Sequence, residues 1–149
     1  MAGRNKRASE AAARLCDERG VKLTPLRRQV LDLVIDAGHP VGAYELLDRL
    51  RESQGRAAPP TVYRALDFLI EQGFVHRVES LNAYIGCADP DHTHAWQFLI
   101  CETCGQAVEL EDRRIRNAIV KGAAEHGFHV GGQTVEITGT CAGCAAPHA

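Results

Sequence analysis

Two cysteine pairs of equal spacing, Cys101-x-x-Cys104 and Cys141-x-x-Cys144, constrain this chain more than any other feature. A tight turn carrying Cys-x-x-Cys presents both thiolates to one metal ion, and two such turns complete a tetrahedral four-thiolate zinc site. One pair alone would fit a redox motif equally well; two pairs in one short domain point to metal. The stretch between them, Gly105 to Thr140, is longer than in a simple zinc ribbon, so a helix and strands must lie between the pairs. The ion then staples a late turn to an earlier one, which is a structural role.

The chain has 149 residues, enough for one domain or two small ones. No stretch is long and apolar enough to span a bilayer. The first residues, Met-Ala-Gly-Arg-Asn-Lys-Arg, are polar and basic with no apolar signal core behind them, so the expected location is the cytoplasm. In that reducing compartment paired cysteines read as metal ligands and not as disulfides. The formal net charge of −2 hides an asymmetry: residues 1–82 carry +2 and residues 83–149 carry −4. Residues 1–28 are the most basic, with 8 Lys/Arg against 3 Asp/Glu, a mild bias that suits nucleic acid.

Periodicity and capping residues predict the elements. Residues 8–19 read as a helix closed by Gly20. Thr24-Pro25 opens a second helix, with Leu26, Val30, Leu33 and Val34 on one face and an end near Gly38. A third runs from Ala43 to about Ser53 with Leu46, Leu47 and Leu50 inward. Pro59-Pro60-Thr61 opens a fourth, which Gly73 stops after Gln72; Val62, Leu66, Leu69 and Ile70 are its apolar face, and Tyr63, Arg64 and Asp67 point elsewhere. Phe74–Val78 and Ala83–Ile85 read as a hairpin. Helices followed by a hairpin make a winged helix-turn-helix. From Cys87 to His94 the composition turns to Asp, Pro, His and Thr, as in a hinge. Beyond it, Trp96–Ile100, Ala107–Leu110, Phe128–Val130 and Thr134–Thr138 read as strands, and Asp112 caps a helix ending at Gly127.

The expected fold is therefore α+β: a winged helix-turn-helix DNA-binding domain over 1–84, a hinge over 85–94, and a small α/β dimerisation and metal-binding domain over 95–149. The second unit is too small to stand alone, and dimerisation would bury what its core leaves open. Arg64 sits near the start of the fourth helix, where helix-turn-helix proteins reach base edges, and arginine forms a bidentate pair with guanine. Thr61 and Tyr63 can reach phosphates. Candidate ligands outside the four cysteines are His76, Cys87, His92, His94, Glu109 and Glu111; strand alternation puts both glutamates on one face. Cys16, mid-helix among apolar neighbours, reads as a small core residue. His39, His126, His129 and His148 read as surface or capping histidines. Asp48 and Arg51, one turn apart, read as a local ion pair.

The runs Leu23-Thr-Pro-Leu-Arg-Arg-Gln-Val-Leu31 and Pro59-Pro-Thr-Val-Tyr-Arg-Ala-Leu-Asp-Phe-Leu-Ile-Glu-Gln-Gly-Phe-Val-His-Arg-Val-Glu79, with the two cysteine pairs, resemble the ferric uptake regulator superfamily. The segment Ala43-Tyr44-Glu-Leu-Leu-Asp-Arg-Leu50 is similar to its zinc uptake regulator branch. The resemblance covers about residues 10 to 144. It implies that Tyr44 and Arg64 contact bases and that Cys101, Cys104, Cys141 and Cys144 hold a structural zinc. It also implies that His76, Cys87, His94 and Glu109 hold a regulatory zinc, giving two Zn²⁺ per subunit. Two imidazoles, a thiolate and a carboxylate suit Zn²⁺, and the thiolate disfavours harder ions. The run Asp91-His92-Thr93-His94 is poorer in histidine than in iron-sensing relatives. In relatives, residues matching Asp48 and Arg51 help two dimers meet on DNA.

The implied function is a zinc-responsive, homodimeric repressor of zinc-uptake genes that binds duplex operator DNA. A sensor of iron, manganese or nickel is the alternative within the same fold. A zinc hydrolase and a zinc-stapled interaction module without DNA binding are alternatives of other classes. The closed ligand shells argue against the hydrolase, because catalytic zinc keeps an open position.

Overall fold

The computed structural model describes residues 2–87, 90 and 95–145. They fall into two compact units, Met1–Thr93 and His94–Ala149.

The first unit is four helices and a hairpin: α1 (Ala2–Arg19), α2 (Pro25–Ala37), α3 (Ala43–Gln54), α4 (Pro59–Glu71), β1 (Val75–Val78) and β2 (Ala83–Gly86). A 3-10 turn, Glu79–Leu81, joins the two strands, and Asn82 completes it in the left-handed region at φ 48°. The capping signals act where the sequence places them. Thr24 Oγ1 accepts the Arg27 N–H at 3.3 Å, Pro25 fills the first turn of α2, and Gly38 ends it. Helix α1 starts six residues ahead of the expected Ala8. Ala8, Ala12 and Cys16 recur every four residues and are all buried, so Cys16 is the core residue expected. Buried Ser9 accepts the Arg28 Nε–H at 2.8 Å, tying α1 to α2.

Val30, Leu31 and Val34 of α2, Leu46, Leu47 and Leu50 of α3, and Val62, Ala65, Leu66 and Leu69 of α4 form one core. Leu26 and Leu33 only flank it; Leu31 takes the inner position. The hairpin is antiparallel, with His76 opposite Ile85 and Val75 opposite Gly86. A third backbone segment joins it: Val41, in the α2–α3 connection, exchanges N–H···O bonds of 2.9 and 2.8 Å with Tyr84.

The second unit is a three-stranded sheet with helix α5 (Arg113–Glu125) and the short α6 (Ala142–Ala145). β3 (Trp96–Cys101) lies in the middle, antiparallel to β4 (Ala107–Glu109) and parallel to β5 (Thr134–Gly139). The crossover needed for parallel pairing runs through α5. The Asp112 carboxylate caps α5, accepting the Arg114 N–H at 2.9 Å and the guanidinium at 2.8 Å.

The expected strand Phe128–Val130 does not form. Gly127 takes φ 66°, its N–H donates to Ala124 O at 2.9 Å, and the Phe128 N–H donates to Ala123 O at 3.0 Å. These two bonds close α5 as a Schellman motif, so the Phe128 amide is committed to the helix end and not to a ladder. Among the described residues no helix is long and apolar enough to cross a membrane.

Candidate metal centre and helix surface

The parallel pairing of β3 and β5 builds the metal centre. In register, Cys101 stands opposite Gly139, so both strands end side by side and both cysteine turns emerge at one end of the sheet. The first turn is closed by Cys101 N–H to Gln106 O at 2.9 Å and Gly105 N–H to Cys101 O at 2.8 Å. The second is closed by the Cys144 and Ala145 N–H groups on Cys141 O, at 3.1 and 2.8 Å. A bond from Glu102 N–H to Gly139 O, 2.9 Å, locks one turn to the other.

The four sulfur atoms lie within 4.8 Å of one another. Cys104 Sγ and Cys141 Sγ are 3.9 Å apart. Tetrahedral zinc with bonds of about 2.3 Å sets its sulfurs about 3.8 Å apart, whereas a disulfide needs about 2.05 Å. The donor set therefore fits a four-thiolate zinc. It fills all four positions and leaves none for substrate, which is a structural and not a catalytic arrangement. The sulfurs are not alike. The Cys141 N–H donates to Cys101 Sγ at 3.4 Å and, with the Cys104 amide, holds that thiol down to about 6. Contacts with Cys141 and Cys101 push the Cys144 thiol up to about 12. Crowded thiols cannot all ionise without a cation, so one carries the charge for the group.

In the first unit two of the four candidate DNA-contacting residues, Tyr44 and Tyr63, share a surface. Tyr44, 72% exposed, stands in the first turn of α3. Thr61, half-buried, and Tyr63 and Arg64, exposed, stand in the first turns of α4. Tyr44 and Tyr63 line one shallow notch with Ala43, Leu47, Pro59 and Val62, so the starts of α3 and α4 open onto the same side. Neither the helix periods nor the caps in the sequence reveal that juxtaposition. The Arg51 Nε–H is used locally, on Ala57 O at 2.9 Å, and Asp48 is exposed.

Of the second proposed ligand set, His76 lies half-buried on β1 and Cys87 is buried at 3% exposure. The Cys87 N–H donates to Phe74 O at 2.9 Å, which extends the ladder one pair past Gly86. By strand alternation Cys87, His76 and Ile85 occupy one face of the hairpin. Glu109 is exposed on β4 opposite Phe98. Glu111 lies past the strand end, so alternation does not put it on the Glu109 face as expected. His92, His94 and His148 lie outside the described residues. The sequence reading also passed over Gly86, although a glycine in a strand signals close backbone approach.

The ferric uptake regulator family model matches residues 18–138. The chain is 45% identical over 136 residues to the zinc uptake regulation protein of Escherichia coli K12, covering 89% of this chain and 78% of that protein. It is 31% identical over 128 residues to the zinc uptake regulation protein of Mycobacterium tuberculosis H37Rv, covering 84% and 95%. Among solved structures it is similar to a zinc uptake regulator complexed with zinc and DNA, with a TM-score of 0.83 at 42% identity over 94% of each chain. It is also similar to holo XcZur, with a TM-score of 0.79 at 52% identity over 93% and 97%.

Proposed function

This chain belongs to the ferric uptake regulator family, and on that premise we propose that it is a zinc-responsive DNA-binding repressor of zinc-uptake genes, acting in the cytoplasm as a homodimer. The observation that carries the reading is its likeness, along almost the whole chain, to a zinc uptake regulator complexed with zinc and DNA. The family and the zinc uptake regulators this chain is similar to support a regulator and not an enzyme.

In this reading residues 1–84 bind operator DNA, with Tyr44 and Arg64 on bases and Thr61 and Tyr63 on phosphates. Residues 95–149 form the dimer, with Cys101, Cys104, Cys141 and Cys144 on a structural zinc. The exposed row Val108–Leu99–Ile137, paired across all three strands, supports the dimer. A regulatory zinc is held by His76, Cys87, His94 and Glu109, making two per subunit, and the common hairpin face of His76 and Cys87 supports this set. Four ligands drawn from residues 76–109 tie the wing, the 85–94 hinge and the second unit together. The spacing of two recognition helices, which must match successive major grooves, then follows metal occupancy. Two dimers per operator, meeting through Asp48 and Arg51, complete the reading.

The test is operator binding at buffered free Zn²⁺, Fe²⁺, Mn²⁺ and Ni²⁺, beside metal counted per subunit, for the parent and Cys87→Ser. Zinc should act at the lowest free concentration. Cys87→Ser should keep the four-cysteine zinc and dimer yet need far more zinc to bind DNA. Response to iron, manganese or nickel first would make it that metal's sensor, and no salt-sensitive affinity for duplex would leave only an interaction module. A Cys87→Ser response at the parent's zinc concentration would overturn the ligand set, with His92 and Glu111 next to change.

A further inference from the structure

At Gly86 the backbone of β2 approaches Ile35 of α2 closely. A Cβ built on Gly86 would sit 2.7 Å from Ile35 Cγ1 and 3.6 Å from the Ile35 backbone Cα. Cγ1 belongs to a β-branched side chain of α2, whose χ1 is stiff, so it cannot swing aside cheaply. Ordinary contact begins near 3.4 Å, so a methyl there would part β2 from α2 by roughly 0.7 Å. Functional constellations tolerate displacements of only about 0.5 Å.

The neighbours on either side make this contact matter. Cys87 follows Gly86 directly and is buried. Tyr84, two residues before and therefore on the Gly86 face, is bonded through its backbone to Val41, which leads into α3 and Tyr44. Strand β2 is thus seated on α2 at Gly86 and on the entry to α3 at Tyr84, and its next residue is the thiol on the His76 face.

We propose that Gly86, through its close approach to Ile35, is the positioning residue of the regulatory zinc site, setting where Cys87 stands and passing ligation there to α2 and to the start of α3. This rests on the regulatory assignment of Cys87 above. Gly86 touches neither metal nor DNA; it acts through the seat of β2.

The test is a double-mutant cycle on the full-length dimer, read by operator binding against buffered free Zn²⁺, zinc per subunit and thermal stability. Gly86→Ala should raise the zinc midpoint by about 10–100-fold, the usual effect of disturbing the support of a metal ligand. Zinc at the four-cysteine site and operator affinity at saturating zinc should stay at parent values. Ile35→Ala removes the obstructing atom, so Ile35→Ala/Gly86→Ala should return the midpoint to within about threefold of Ile35→Ala alone. An unchanged midpoint in Gly86→Ala, or no return in the double variant, overturns the proposal. If neither variant accumulates folded, the contact is a folding requirement and the positioning role falls. Cys87→Ser separates the two levels: if it shifts the midpoint and Gly86→Ala does not, only this inference fails; if neither does, the regulatory site itself is misplaced.

Discussion

On the proposed roles, single residues separate DNA reading from zinc binding. Arg64 is exposed near the start of α4, so Arg64→Ala should weaken operator binding by about 1–3 kcal/mol and relax base preference at one position per half-site. Zinc content should not change; an equal loss on all sequences, in competition with mixed-sequence duplex, would make Arg64 a phosphate contact. Cys101 makes a pH-dependent prediction. Its thiol is held at about 6 against an ordinary 9.0, chiefly by the Cys141 amide. The folded-state value is depressed, so the stabilisation it gives the metal-free unit is complete above pH 9 and is lost as pH falls through about 6. Zinc binding displaces thiol protons, and Cys101 has already lost its own at neutral pH. Filling the four-cysteine site with its one equivalent of zinc should therefore release about one proton fewer per subunit at pH 7.5 than at pH 5, measured by calorimetry in buffers of different ionisation enthalpy; equal release would remove the special role of Cys101. At this scale much was legible. The cysteine spacing leads to four sulfurs within 4.8 Å, because ligand geometry is nearly local to each turn. The close approach at Gly86 was not, because Ile35 lies 51 positions earlier and nothing local records the encounter.

Elements read well where a cap or a period is local, and poorly where backbone groups have two possible partners. The caps at Thr24 and Asp112 act as their residue types require. Phe128–Val130 has the composition of a strand, yet its first amide closes α5, and composition does not say which acceptor wins. Strand alternation carries a further consequence. Phe98 and Ile100 of β3 are buried while Leu99 between them is 42% exposed, flanked by Val108 at 54% and Ile137 at 45%. Leu99→Asp puts a carboxylate at the centre of that apolar row without touching the inner face. The variant should remain folded and sediment as a monomer at concentrations where the parent is a dimer; a persisting dimer would move the interface elsewhere.

For the molecule as a whole, the two units respond differently to loss of metal. The first has a continuous core of four helices and needs no ion to complete it. The second leaves Ile119, Val120, Phe128 and the sheet row exposed and joins its two cysteine turns through sulfur. Structural zinc supplies on the order of 10–16 kcal/mol in small zinc domains. Chelation strong enough to empty the four-cysteine site should therefore abolish dimers and lower the thermal stability of the second unit while that of the helical unit stays at its parent value; dimers that persist in stripped protein would show that the staple is dispensable. Because β5 lies parallel to β3, the Cys141 turn is made 40 residues after Cys101. At about 5–20 residues per second, translation leaves β3 with one naked edge, and Cys101 and Cys104 as a bare dithiol, for roughly 2–8 s. The helical unit can be finished before that interval opens, so a newborn chain owns its reading head before it can hold the ion that completes its other half.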